Sequence, residues 1–224
     1  MRVTFVRHGA STATGGSTLV GQTDHPLSSL GRLQASAVAE RLADRQLDAL
    51  WSSPLQRALH TATAIGGTTG QLPITDARLA EINLGRYDGL SFADMTGPAQ
   101  VFREKWQRRP GTTRWPGGET LTEVAARNWQ VLEALYDRHP KGHVVVVSHM
   151  FAISAVLTRV FRLKVGQFRT FAVDVASLTT IQMDKSGFRL LLLNDTAHLQ
   201  HLPPASPWVV QALPPLVDPM KASR

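Results

Sequence analysis

Arg7, His8, Arg57, Glu81 and His149 together hold what metal-free phosphoryl transfer requires. That chemistry calls for an in-line nucleophile, positive groups over the equatorial oxygens, and an acid for the oxygen that leaves. Imidazole can supply the first, guanidinium the second and a carboxyl group the third. Arginine suits the clamp because it stays charged throughout and can donate bidentately. A metal-centred reading has less behind it. No third His, Cys or carboxylate stands at ligand spacing such as His-x-x-x-His, and two arginines in one pocket would repel a cation.

These residues are far apart in the chain, so the elements around them must gather them. Residues 2–9, Arg-Val-Thr-Phe-Val-Arg-His-Gly, read as a short buried strand that finishes in Arg7-His8. Such groups belong at a strand's carboxyl end, where open α/β sheets place their ligand crevices. Gly9 then lets the backbone turn closely around a ligand. The polar, glycine-rich loop 10–18 follows, and its N–H groups and hydroxyls, Thr14 among them, suit phosphate oxygens.

Residues 143–149 form a second apolar run, ending in His149, with the continuity of a central parallel strand. Parallel strands deliver their carboxyl ends to one edge, so His149 should share the crevice with Arg7 and His8, while His143 opens the strand at the opposite edge. Ser53 is a natural N-cap and Pro54 suits the first helical position. Arg57 then falls in the opening turn, facing the crevice from a helix N-terminus that already favours anions. His60, on the same helix, reads as a surface residue. Gly85 and Gly89 imply a backbone that turns twice after Glu81 and holds that carboxyl inward.

Four blocks in order, from residue 2 to about 160, resemble the signature of the histidine phosphatase superfamily, also called phosphoglycerate mutase-like. They are Arg7-His8-Gly9 behind its strand, Ser53-Pro54-x-x-Arg57-Ala58-x-x-Thr61-Ala62, Glu81-x-x-x-Gly85-x-x-Asp88-Gly89, and the strand that ends in His149. Two shorter matches accompany them: Gly21-x-x-Asp24-x-Pro26-Leu27, and Gly118-Glu119-Thr120 in place of the Gly-Glu-Ser of phosphatase members. The resemblance implies a three-layer α/β/α sandwich with a mostly parallel sheet. It implies His8 as the nucleophile that becomes phosphohistidine, Arg7, Arg57 and His149 as the phosphoryl clamp, and Glu81 as general acid and then base. The chain departs from the pattern at Ala10, usually acidic, at Thr14, usually Asn, at Asp88, usually Glu, and at Met150, usually Gly.

The remaining chain is framework. Ser28 or Ser29 should cap a helix with Leu30, Leu33, Ala37, Val38 and Leu42 inward, followed by a strand at 48–51. Residues 91–118 should cover the site, with Trp106 and Trp115 either packing the cover or meeting substrate. A core helix is expected over 121–136 and a hairpin over 177–194 that closes the sheet edge. A catalytic domain at 1–200 and a tail at 201–224, with six of the 13 prolines, complete the division.

With 43% hydrophobic residues in 224, one α/β domain is the expectation. No signal-peptide pattern or membrane-length apolar run is present, which points to a cytoplasmic enzyme with no membrane partner. The absence of cysteine excludes disulfides and thiolate metal sites. A net charge of +7 favours anionic partners. Nucleic acid is disfavoured because the basic residues are scattered and no nucleic-acid motif accompanies them. A small phosphorylated metabolite explains the charge, and no cofactor is needed. The reading is a phosphomonoesterase. The alternatives are a cofactor-dependent phosphoglycerate mutase-type phosphotransferase and a non-catalytic phospholigand binder. Mutases carry a longer insertion than the 67 residues between Glu81 and His149, and a binder needs neither nucleophile nor acid. The sequence leaves oligomeric state open.

Overall fold

In the computed structural model, which describes residues 1–203, six strands form one sheet in the order β3-β2-β4-β1-β5-β6. Strands β1 (Arg2–Arg7), β2 (Ala49–Ser52), β3 (Pro73–Thr75) and β4 (His143–Ser148) are parallel. Strands β5 (Leu178–Asp184) and β6 (Gly187–Asp195) add the expected antiparallel hairpin beside β1. The edge strand β3 was not foreseen; three residues starting with Pro73 and half or fully exposed carry no strand pattern.

Alternation along the strands sorts the core into two layers. Val3, Phe5, Val144 and Val146 pack with α4 (Leu121–Arg138) and α5 (Met150–Val160). Val6, Leu50, Val145 and Val147 pack on the opposite face with α1 (Ser29–Leu42) and α2 (Gln56–Thr69). A β4 run of four valines is therefore read by both faces at once, which is why it shows no polar alternation. This is the anticipated three-layer α/β/α arrangement. A third apolar cluster, around Trp106, Trp115 and Phe168, lies under α3 (Pro98–Arg108) and forms the cover.

Local chemistry explains most boundaries. Ser28 caps α1 through Gly31 N–H at 3.0 Å. Thr120 and Glu123 make a reciprocal capping box at the start of α4. Helix α1 is rotated from its apolar pattern: Leu33 is 54% exposed, whereas Gly31 and Gln34 face inward. The cause is a close crossing. A Cβ at Gly31 would meet the Ala10 carbonyl oxygen at 1.8 Å, and Gln34 Oε1 accepts the Ala10 N–H at 2.8 Å. Gly9 serves the same crossing, since its Cβ would fall 2.4 Å from the Gly31 oxygen. The glycine expected to make room for ligand makes room for a helix. His143 bonds Thr4 at 2.9 Å near the amino end of the strands, away from the crevice. His60 is exposed on α2. No helix among the described residues is long and apolar enough to cross a membrane. The proline-rich tail lies outside the described residues from residue 204 onward.

Candidate active site

The register of β1 on β4 pairs Arg7 with Ser148, and His8 N–H donates to the Ser148 carbonyl at 3.1 Å. His8 and His149 therefore leave the sheet side by side, with ring centroids 5.0 Å apart. His8 Nδ1 lies 2.7 Å from the Gly9 carbonyl oxygen. A carbonyl only accepts, so Nδ1 carries the proton and Nε2 keeps the lone pair. Arg57 Nε–H donates to that lone pair at 3.3 Å. Burial, then the charges of Arg57 and Arg7, push the His8 pKa well below its ordinary value, which keeps the ring neutral.

The Ser53-Pro54 cap does not form as the spacing predicts. Helix α2 starts at Gln56, and Leu55 in the cap position offers no side-chain acceptor. Asp24, from a distant loop, takes over by accepting Gln56 N–H at 2.7 Å. Ser53 Oγ accepts the Leu55 N–H at 3.3 Å, ahead of the helix start, and it also bonds His149 Nε2 at 2.8 Å and so fixes a ring that is fully buried. Within α2, Thr61 donates to the Arg57 carbonyl at 2.8 Å and accepts Gly9 N–H at 3.1 Å, tying the helix to the His8 turn.

Arg57 does not simply aim outward at the crevice; it is 1% exposed. Its NH1 donates to the Thr23 carbonyl at 2.9 Å and its NH2 to the Gly21 carbonyl at 2.7 Å. The same loop is held from its donor side by Asp88, which accepts N–H groups of Gly21 at 2.8 Å, Gln22 at 2.7 Å and Thr23 at 2.8 Å. Asp88 thus has a framing part that its replacement of the family's glutamate did not disclose. Arg7 NH1 donates to the Val173 carbonyl at 2.7 Å, and burial lowers its pKa to about 10, which leaves it charged near neutrality.

Glu81 is buried, with Oε1 accepting Ile82 N–H at 2.9 Å and Oε2 accepting Phe151 N–H, in the first turn of α5, at 3.2 Å. Burial raises its pKa, against the lowering effect of those hydrogen bonds and of Arg57 and Arg7. Gly85 and Gly89 turn with φ of 55° and 84°, as expected. The segment is pinned by Arg127, which donates to the Ala80 carbonyl at 2.7 Å and the Glu81 carbonyl at 3.0 Å while pairing with Glu119 at 2.8 Å. Glu119 in turn accepts Asn83 N–H at 2.9 Å. Arg127 had no signal in the sequence beyond a place on the less apolar side of α4.

Arg7, His8, Arg57, Glu81 and Thr14 line one cavity of about 140 Å³ that is open to solvent. Thr14 accepts Ser11 N–H at 2.8 Å there. His149 does not line the cavity but packs against His8. Trp106 and Trp115 pack the cover, as one of the two expectations had it: each is buried there, and each also forms part of the cavity wall, alongside Met150 and Phe151. Among the described residues no three His, Cys, Asp or Glu side chains gather as a metal-ligand set would.

Residues 3–196 match the model of the histidine phosphatase superfamily, branch 1. The chain belongs to this family. It is 31% identical over 199 residues to phosphoserine phosphatase 1 of Hydrogenobacter thermophilus, covering 89% of this chain and 94% of that one. It is 36% identical over 175 residues to glucosyl-3-phosphoglycerate phosphatase of Mycobacterium tuberculosis, covering 75% and 78%. A solved mycobacterial glucosyl-3-phosphoglycerate phosphatase superposes with a TM-score of 0.78 at 33% identity, over 87% of this chain and 99% of that one. These relatives bear out the expected class, a phosphatase of small phosphorylated metabolites.

Proposed function

We propose that the protein hydrolyses a small phosphomonoester in two steps through phosphohistidine at His8. One observation carries the reading: His8 is neutral and buried, its Nδ1–H is engaged by the Gly9 carbonyl, and its Nε2 lone pair faces Arg57. As the ester enters, Arg57 redirects the hydrogen bond of its Nε–H from His8 Nε2 to a phosphoryl oxygen, and its guanidinium keeps its proton. Nε2 then attacks phosphorus, the P–O bond to the alcohol breaks, and Glu81 gives its proton to the departing oxygen. Water next attacks the phosphohistidine, Glu81 takes a proton from it, and inorganic phosphate leaves with His8 restored.

Each other group has a supporting part in this reading. Arg7 and Arg57 spread positive charge over the equatorial oxygens. Thr14 donates a hydrogen bond from its hydroxyl to the same group. Ser53 fixes the His149 ring, which packs behind His8 at 5.0 Å between ring centroids and so supports the nucleophile from outside the cavity. The raised pKa of Glu81 suits an acid that must hold its proton until the leaving oxygen needs it. Because the arginines supply the charge and His8 the nucleophile, the reaction needs neither metal nor cofactor, and a cytoplasmic metabolite is the natural substrate.

Incubation with a phosphorylated substrate should label His8 with acid-labile, base-stable phosphate, and His8→Ala should abolish that label. Labelling that persists in His8→Ala overturns the assignment. With 3-phosphoglycerate and a bisphosphate activator, phosphate release should exceed formation of 2-phosphoglycerate; the reverse would make this a mutase.

A further inference from the structure

The cavity wall carries two arginines that the phosphoryl chemistry leaves unused. Arg103 lies on α3 and Arg169 in the short turn Val165–Thr170, and both line the cavity. Arg103 Nε is buried and has no hydrogen-bond partner among the described residues. By contrast, Arg108 on the same helix reaches Glu104 at 3.6 Å. A buried guanidinium donor without an acceptor loses hydration that a bound acceptor would restore.

Gln107, one helical turn beyond Arg103, also lines the cavity, so the helix presents a donor pair on one face. Arg169 lies over the Phe168 ring at 5.2 Å, and Phe168 packs 6.0 Å from Trp106, which shares the Arg103 face of α3. An aromatic wall thus runs between the two cations.

We propose that Arg103 and Gln107, with Arg169 beside them, form a second anion site, and that the substrate is a phosphomonoester whose far end carries an acidic group, a carboxylate or a second phosphate. This rests on the phosphomonoesterase reading above. The ester would enter with its phosphoryl group between Arg7 and Arg57, its carbon skeleton along Trp106 and Phe151, and its acidic end under α3.

Matched esters test it. O-phosphoserine against O-phosphoethanolamine, and 3-phosphoglycerate against sn-glycerol 3-phosphate, differ by a carboxylate. Fructose 1,6-bisphosphate against fructose 6-phosphate differs by a second phosphate. In the wild type the acidic member of the carboxylate pairs or of the bisphosphate pair should be favoured by about tenfold or more in kcat/KM, as one charged hydrogen bond commonly provides. Which class is favoured distinguishes the two acidic groups. Arg103→Gln should remove most of that within-pair ratio and Arg103→Lys should restore part of it. The ratio should persist in Arg108→Gln, which changes the same helix away from the cavity. Equal kcat/KM within every pair, or a ratio unaltered by Arg103→Gln, overturns the second site while leaving phosphatase activity standing. Failure to hydrolyse any ester, p-nitrophenyl phosphate included, refutes the phosphatase reading and this inference with it.

Discussion

Asp88→Asn separates the framing of Arg57 from its chemistry. Asp88 accepts three backbone N–H groups of one loop, two on Oδ2 and one on Oδ1. Asparagine has a single acceptor oxygen. Placed at Oδ2 it keeps Gln22 and Thr23 and turns an NH2 group towards Gly21 N–H, donor against donor. One bond to a charged group is lost and two become neutral, a difference of about 1 kcal/mol for each weakened bond and somewhat more for the lost one. Asp88 is only half-buried, so water recovers part of this, and the expected loss of stability is about 2–3 kcal/mol. The same loop supplies the Gly21 and Thr23 carbonyls that orient Arg57. Loosening it should lower kcat/KM for p-nitrophenyl phosphate about tenfold, less than the ~10² to 10³ expected for losing a transition-state donor outright. Urea unfolding gives the first quantity and steady-state kinetics the second. Combined with Arg57→Lys the kinetic losses should be less than additive, because both act through one guanidinium. A variant that loses stability with kcat/KM unchanged would show that the loop does not hold Arg57 in its working position.

Three further outcomes are expected. Arg57→Ala should lower turnover by ~10² to 10³ and, because it strips two loop carbonyls of their donor, should also cost about 2–4 kcal/mol in urea unfolding; unchanged stability would contradict the buried geometry. Glu81→Gln should slow His8 phosphorylation by an alkyl phosphate ~10² to 10⁴-fold and by p-nitrophenyl phosphate far less, since nitrophenolate leaves without a proton; equal slowing in single-turnover measurements would move the acid elsewhere. His149 is neutral because burial, chiefly, and nearby positive charge depress its pKa well below 6.5. Below that pH the unfolded chain takes up a proton that the folded one refuses, so stability falls as pH drops, by about 1.4 kcal/mol per pH unit for each such histidine. His149→Gln should flatten the slope of unfolding free energy below pH 6.5 by about that amount, and an unchanged slope would mean the ring is already charged in the native state.

Some of this protein is determined by short-range sequence chemistry. Apolar runs ending in Arg7-His8 and His149 had to be parallel strands with a common edge, because a run buried on both faces tolerates polar groups only where it emerges. Gly85 and Gly89 had to turn, and Thr120 had to start a helix, because each acts within a few residues of itself. Other features depend on groups that meet only when the layers pack. Ser53 reads as a cap but serves His149, because Asp24 reaches the helix from 32 residues upstream and takes the capping place. Arg57 reads as an outward donor but is buried, because a loop clamped by Asp88 closes over it. Gly9 reads as room for a ligand but admits Gly31, and Arg127 gives no sign of pinning the Glu81 segment. Residue type and spacing specify which groups can do chemistry and on which edge they emerge; hydrogen bonds between distant segments, which no local pattern encodes, decide which partner each group takes.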